Sequence, residues 1–492
     1  MALEAPSVTT SSSWPKDIGP RVVLFGSLVL GFLLRARIVF TDDGINWPDE
    51  IYQSFEPAHR LVFGYGLVAW EFLEGARTWA VPGFVAVWLE LCKLVGADSP
   101  STYIPVVKLV FSLLSVGAAA GVYRLSRALG ARELESSFAA ATWSLCALAL
   151  YFSHRAMSEN LAAVLLVWGA AFVFDESGGR EGRITGASLL GLATLARLQS
   201  GVVCVVVVVV LLVRIKRLGF KPVLEVFGTL VVWALIYGAW DAAAWHSLPT
   251  AKAGGFFHSA VVYYRFNIVE NRGAGWGTAP WSYFFVHLFR TMPGISVALA
   301  IAALASLKRG WPVVAILVAF LGLHLFVSHK ELRFIVPGIP LACALLGVAL
   351  SMLPTMAARG GLVLLSAAVL VSAWNHKQLT MGEVGSYPER ADSSAWDDFG
   401  PINRLLLAAS KQPDVCGLRD DAAHMAWTGG TTYLHAKAPL YMPGFPVQHG
   451  FFNYVITQQG SGAQVIASEG PWQLVKLGPT CVPDVNYSWR LP

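Results

Sequence analysis

The chain is expected to fold as a polytopic α-helical membrane protein with a small α/β domain at its C-terminal end. Three features carry that expectation. Of 492 residues, 55% are hydrophobic and only 14% charged, with a mean hydropathy of +0.55. That is too apolar for an ordinary water-soluble domain. Apolar runs approaching the length of a bilayer-spanning helix recur from residue 21 to residue 373, and beyond them the texture changes.

Taken in order, residues 1–20 are polar and lead into an apolar stretch ending in Arg35-Ala36-Arg37 without a small-residue cleavage site. A cytoplasmic tail before a signal anchor is expected there. Candidate spans follow over 21–40, 104–123, 136–153, 159–174, 184–197, 200–213, 223–243, 283–306, 311–327, 335–352 and 359–373. About eleven transmembrane helices result, several of them short for the ~20 residues a bilayer needs. Residues 79–96 are interrupted by Pro82 and Glu90 and read as an interfacial amphipathic helix.

The basic connections test this count. With the N-terminus cytoplasmic, "YRLSRALGARE", "GGREGR", "RIKRLGFK", "LKRG" and "AARG" all fall on the cytoplasmic side. Arg35 and Arg37 run against the rule. Counting 79–96 as a twelfth span would invert every basic loop. The long outer loop 41–103, "SHRAMSEN", residues 244–282, "SHKELRF" and the tail 374–492 then share the opposite, extracytoplasmic side. In the tail, "FGPINRLLLAAS" has helical spacing, and "GTTYLHAKAPLYM", "FNYVITQQ" and "WQLVKLG" read as strands between Gly and Pro.

Cysteine usage fits this division. Cys92, Cys146, Cys204 and Cys343 lie in apolar stretches, where a thiol acts as a small hydrophobe. Cys416 and Cys481 lie in the tail, where either a disulfide or two buried thiols would fit. The net charge of +5 comes from scattered Lys and Arg, without the basic blocks that bind nucleic acid.

Four polar constellations interrupt the apolar background. The first is "NWPDEIYQSFEPAHRLVFGYG", where Pro48 sets the backbone and Asp49 and Glu50 open a helical pattern, a position that favours carboxylates. Asp42, Asp43 and Glu56 nearby are expected as a solvated loop. The second is "HKELRF": His329, Lys330 and Arg333 make a clamp suited to phosphate, with pairing to Glu331 or snorkelling as the plainer alternatives. "HRAMSEN" adds His154, Arg155, Glu159 and Asn160 at another helix end. In the loop 241–282, Asn267, Trp276 and Trp281 could stack and hydrogen-bond a sugar or belong to an interfacial aromatic belt. No Gly-rich phosphate loop, Cys-pair zinc site or serine triad accompanies them.

These residues, in this order, resemble the glycosyltransferase family 22 mannosyltransferases. The likeness rests on "PDEIYQSFEPAHRLVFGYGLVAWEF", "RAMSEN", "LARLQSG", "FNIVENRGAGWGTAPWSYFF" and "SHKELRFIVPGIPL". Trp47 and Ala279 stand where the family carries His. The resemblance implies a C-type glycosyltransferase fold and an inverting transfer of mannose from a polyprenyl-phosphate donor to a hydroxyl of a lipid-linked glycan or GPI-like glycolipid.

Carried over, Asp49 would be the general base, with Glu50 beside it or as the alternative base. His329, Lys330, Arg333 and, secondarily, Arg155 would hold the donor phosphate. Asn267, Trp276 and Trp281 would meet the acceptor. The expected partners are the lipid donor, the glycolipid acceptor and membrane lipid, with no cofactor, metal or obligate protein partner. The location would be the endoplasmic reticulum membrane or a bacterial inner membrane. A transporter, whose charges would line a pathway, and a transferase of another sugar are the competing readings.

Overall fold

The computed structural model describes residues 18–45, 47–246, 254–377, 396, 399–443, 447–458 and 464–491. The expected N-terminal tail, part of the loop 241–282 and most of the passage into the C-terminal region lie outside the described residues.

Among the described residues, five helices are long and apolar enough to cross a membrane: Gly19–Val39, Pro100–Ala128, Lys221–Ala244, Leu332–Met352 and Thr355–Trp374. Ser158–Phe174 and Glu176–Ala196 make a sixth candidate as a pair bent by 75°. Leu198–Val213, Pro293–Lys308 and Trp311–Phe326 are shorter apolar helices. The expected span at 136–153 is two pieces, Glu133–Leu145 and Ala147–Phe152, parted at an extended Cys146. Apolar length in the sequence thus overcounts full-length spanning helices, because chain breaks cut several runs. Residues Ala80–Leu94 form a helix, which is not among the spans.

The main core joins Pro100–Ala128, Glu133–Leu145, Ser158–Phe174, Gly179–Ala196 and Ile339–Met352. Small residues set its closest contact. A Cβ at Gly186 would lie 2.7 Å from the Gly169 carbonyl oxygen, so the two halves of the bent pair meet backbone to backbone. Outward, Phe326, Leu364 and Trp374 are strongly exposed. A rind of large apolar side chains suits contact with lipid, since water would penalise it. Arg35, inside the first span, is fully buried and donates to Gly31 O, Ser144 O, Ser115 Oγ and Ser153 Oγ. Its departure from the charge bias therefore reflects a role in tying helices together.

A second core crosses the chain. Ile51, Tyr52 and Phe55 pack in one cluster with Leu405, Leu418, Leu434 and Tyr454 from the C-terminal region. That region carries the helix Gly400–Ala409 and five strands: β1 (Leu418–Asp420), β2 (Leu440–Tyr441), β3 (Tyr454–Thr457), β4 (Gln464–Glu469) and β5 (Trp472–Lys476). The sheet order is β2-β1-β3-β5-β4, parallel from β2 to β3 and antiparallel beyond. Cys416 and Cys481 are joined as a disulfide.

Glu56 clasps the two parts together. It is buried and accepts from the Leu67 amide at 2.7 Å, the Thr431 hydroxyl at 2.5 Å and the Thr432 amide at 2.7 Å. Gly430 makes room for it, since a Cβ there would sit 2.5 Å from Glu56 Oε1. The expectation of a solvated loop fails for Glu56 and for buried Asp42, which accepts from the Gly44 amide at 2.8 Å. Local composition shows acids beside a membrane but not the distant donors that let them be buried.

Candidate active site

Residues 48–63 run as one continuous helical stretch whose turns Ile51–Phe55 are π-helical. Pro48 occupies the first turn, where its missing N–H costs nothing. Pro57 has no N–H to give the Gln53 carbonyl, and the wider π turn before it avoids the ring clash of an ordinary α turn. Asp49 and Glu50, adjacent in this first turn, face different surroundings.

Glu50 points into the protein. It is fully buried and accepts from Arg155 Nη1 at 2.8 Å. Arg155, equally buried, also donates to Gly44 O at 3.0 Å and lies over the Tyr151 ring. A buried pair is held in place because removing either partner strands the other's charge.

Asp49 faces a cleft of about 1370 Å³, open space at its mouth included, that it shares with Trp47, Glu71, Arg77, Arg197, Asn267, Trp276, His329, Glu331 and Arg333. Its Oδ2 accepts from Arg333 Nη2 at 2.6 Å, and its Oδ1 accepts from Gln53 Nε2, four residues along the same helix. Gln53 also donates to Glu71 at 2.8 Å.

Arg333 is the hub of the cluster. Besides Asp49 it reaches Glu159 Oε1 at 2.8 Å through Nη1 and Glu331 Oε2 through Nε. Its guanidinium lies over the rings of Trp47 and Phe334. Arg197 shares Glu159 with it, at 2.9 Å. Three carboxylates thus converge on one planar cation, whose fork suits several directed bonds.

The carboxylates beside this cation are driven apart. For Asp49, burial outweighs the pull of Arg333 and pushes its carboxyl above the usual range. For Glu331, burial also works upward, yet Arg333 and His329 outweigh it and bring the carboxyl down to about 2. A pair of acids separated in this way is equipped for different roles, one exchanging a proton and one staying charged.

His329 has acceptors on both ring nitrogens, Gly277 O at 2.9 Å and Glu331 Oε1 at 2.8 Å. Burial disfavours its charge, but Glu331 prevails and holds it above the ordinary histidine value. Lys330 is turned away from the cleft lining, with its ammonium on the carbonyls of Val327 and Ala279.

Of the expected acceptor residues, Asn267 and Trp276 line the cleft. Trp276 stacks on Phe266, which in turn stacks on Trp70. Trp281 is 72% exposed and packs on Phe285 outside the cleft. Asp49, His329, Arg333, Asn267 and Trp276 are therefore brought together, while Glu50, Arg155, Lys330 and Trp281 are not.

Several cleft residues lay outside the expected set. Arg77 lies 4.0 Å from Asp49 and over the Tyr263 ring at 5.2 Å, and its buried Nε has no hydrogen-bond partner among the described residues. Arg197 interrupts two apolar runs, and that interruption was a usable signal. Arg77 and Gln53 carried no signal of their own, and Glu71 stood only as one of several acids in the first constellation. His424 and Trp427 enter the cleft from the C-terminal region, more than 370 residues from Asp49.

The fold is that of membrane-embedded C-type glycosyltransferases. ArnT from Cupriavidus metallidurans in its apo state superposes with a TM-score of 0.59 at 14% identity, covering 94% of this chain and 99% of that one. The apo oligosaccharyltransferase of Archaeoglobus fulgidus gives 0.52 at 11% identity, covering 87% and 65%.

Within that class the chain belongs to the Alg9-like mannosyltransferase family, whose model matches residues 28–382. Similar relatives include mannosyltransferase APTG1 of Arabidopsis thaliana, 29% identical over 319 residues, 61% of this chain and 54% of that protein. Human GPI alpha-1,2-mannosyltransferase 3 is 26% identical over 327 residues, 63% and 54%. The chain spans about half the length of these curated relatives.

Proposed function

We propose that the chain transfers mannose, with inversion, from a polyprenyl-phosphate donor to a hydroxyl of a lipid-linked glycan on the extracytoplasmic face of its membrane. The observation that carries this reading is the Asp49 carboxylate in the cleft, oriented by Arg333 and Gln53 and raised by burial. Asp49 accepts the proton of the attacking hydroxyl as the oxygen bonds to the anomeric carbon. A base near the operating pH does this most effectively.

The donor phosphate departs as an anion and needs positive charge beside it. Arg77 is the first choice, because among the described residues its one ion pair is the long 4.0 Å approach to Asp49. Arg197 and His329 add field, the latter's charged form being favoured by Glu331. Arg333 serves the base, since its guanidinium is committed to three carboxylates. Lys330 and Arg155 support the walls. The indole of Trp276 and the amide of Asn267 offer a face and a polar edge to a sugar.

The relatives, GPI alpha-1,2-mannosyltransferase 3 among them, favour a glycolipid acceptor and an α-1,2 linkage. A structure of ArnT carries undecaprenyl phosphate, a lipid phosphate of the proposed donor class. The endoplasmic reticulum is the matching compartment.

The test is incubation of the purified chain with labelled polyprenyl-phosphate mannose and a panel of glycolipids, followed by linkage analysis. Labelled mannose on a glycolipid is expected. Transfer from a nucleotide sugar, with none from the lipid phosphate, would overturn the proposal.

A further inference from the structure

Behind the cleft lies a second cavity of about 1000 Å³, lined by Arg60, Phe72, Trp79, Trp245, Trp489 and Arg490 among others. The two cavities are separated by a thin partition. Val68 forms an isolated parallel bridge with Arg490, its amide donating to Trp489 O at 2.8 Å and its carbonyl accepting from the Leu491 amide at 2.9 Å. Ala69, Trp70 and Glu71 face the first cavity, and Val68, Phe72 and Leu73 face the second.

The lining has a consistent chemistry. Among the described residues it contains two guanidinium groups and no carboxylate. Arg60 gives one bond to Gly66 O at 3.0 Å, and neither Arg60 nor Arg490 forms an ion pair among the described residues. Both arginines are exposed, at the open side of the cavity. Two guanidinium groups side by side there attract an anion, and the fork of each matches a phosphate.

The rest of the wall is aromatic. Trp79 and Trp245 lie against each other at 5.9 Å, and Trp489 closes the other side. Trp245 is nine-tenths buried or more, and its indole N–H has no partner among the described residues. It follows Ala244, the last residue of the candidate span Lys221–Ala244, so the cavity opens at the level where that helix ends. Indoles at the end of a span belong to the headgroup layer of a bilayer.

We infer that this second cavity binds the phosphate-bearing headgroup of an anionic membrane lipid, with Arg60 and Arg490 on the phosphate and the indoles against the glycerol and upper acyl chain. Such a lipid would anchor the partition that carries Trp70 and Glu71 into the active cleft. The binding requires no transfer reaction and is read without one.

The experiment titrates the purified full chain with a short-chain anionic phospholipid, short-chain phosphatidylcholine and inorganic phosphate, following tryptophan fluorescence. Wild type should bind the anionic lipid, and Arg60→Gln with Arg490→Gln should weaken that binding about tenfold or more. Arg60→Lys with Arg490→Lys should retain most of it, which separates lost charge from lost folding. Phosphatidylcholine, whose choline cation offsets its phosphate, should bind more weakly than the anionic lipid. Equal binding of the anionic lipid by wild type and the Gln variant would overturn the inference, as would equal affinity for phosphatidylcholine. Displacement of the lipid by inorganic phosphate at matched concentration would show a free-anion site instead, and would overturn it too.

Discussion

At the residue scale, adjacent carboxylates are separated by where the helix points them. Asp49 meets the cleft and Glu50 meets Arg155, so only one of the two has access to a substrate. Trp47 takes part in the same arrangement: it lies under Arg333 and stacks on Phe152 at 6.1 Å. Where the family carries His, this chain places an apolar face beneath its central cation. Arg333 lowers the Asp49 pKa and hydrogen-bonds its charged form, so shortening the contact residue has a signed effect. Arg333→Lys keeps a charge but loses the fork, which raises the Asp49 pKa further. The acid limb of kcat/KM against pH should move to higher pH, as rate measurements from about pH 5 to pH 8 would record.

Sequence reasoning reached this site in part. "PDE" and "HKELRF" were legible because charges in an apolar chain stand out. The partners of Arg333 were not, because Asp49 lies 284 residues away and spacing encodes no such contact. His329, Lys330 and Arg333, expected together as a phosphate clamp, have different partners: Glu331 and Gly277, the Val327 and Ala279 carbonyls, and three carboxylates.

At the element scale, the helical stretch 48–63 is the hinge of the architecture. One end holds Asp49, and Glu56, midway along, fastens it to the C-terminal region. The sheet carries its own buried acid. Burial pushes Asp420, at the end of β1, up to about 7, against backbone bonds from Ala422 and Ala423 that lower it. An acid raised above its unfolded value of about 3.9 contributes most below that value and loses the contribution as pH rises through about 7. Asp420→Asn preserves the acceptor oxygen and removes the titration. The melting midpoint of the variant should match wild type near pH 4 and exceed it increasingly toward pH 8, by thermal unfolding at each pH.

The same scale explains what the apolar pattern misjudged. Runs such as 136–153 and 283–306 have span-like composition, yet Cys146 and Met292-Pro293 break them into shorter helices. Composition records total apolar length and is blind to where the helix breaks. The shared core of the loop 41–103 and the C-terminal region was illegible for another reason. Each segment looks half-apolar alone, and only their packing shows that Ile51 and Leu418 occupy one interior.

For the whole molecule, the proposed function requires the cleft, the sheet and the loop 41–103 on one side of the membrane and the basic connections on the other. A membrane-impermeant thiol reagent tests this with two single replacements at solvent-facing positions, Ser488→Cys and Glu181→Cys. In sealed vesicles of known orientation the two should label from opposite sides. Labelling from the same side would contradict the proposed topology.

The central claim is that Asp49 takes the proton of the acceptor hydroxyl. Its most direct test is the single-turnover rate of Asp49→Asn with labelled polyprenyl-phosphate mannose and the glycolipid acceptor found in the panel, alongside a melting midpoint. The account predicts a loss of about 10²- to 10⁴-fold with the fold intact. A correctly folded Asp49→Asn that transfers mannose at the wild-type rate would contradict it.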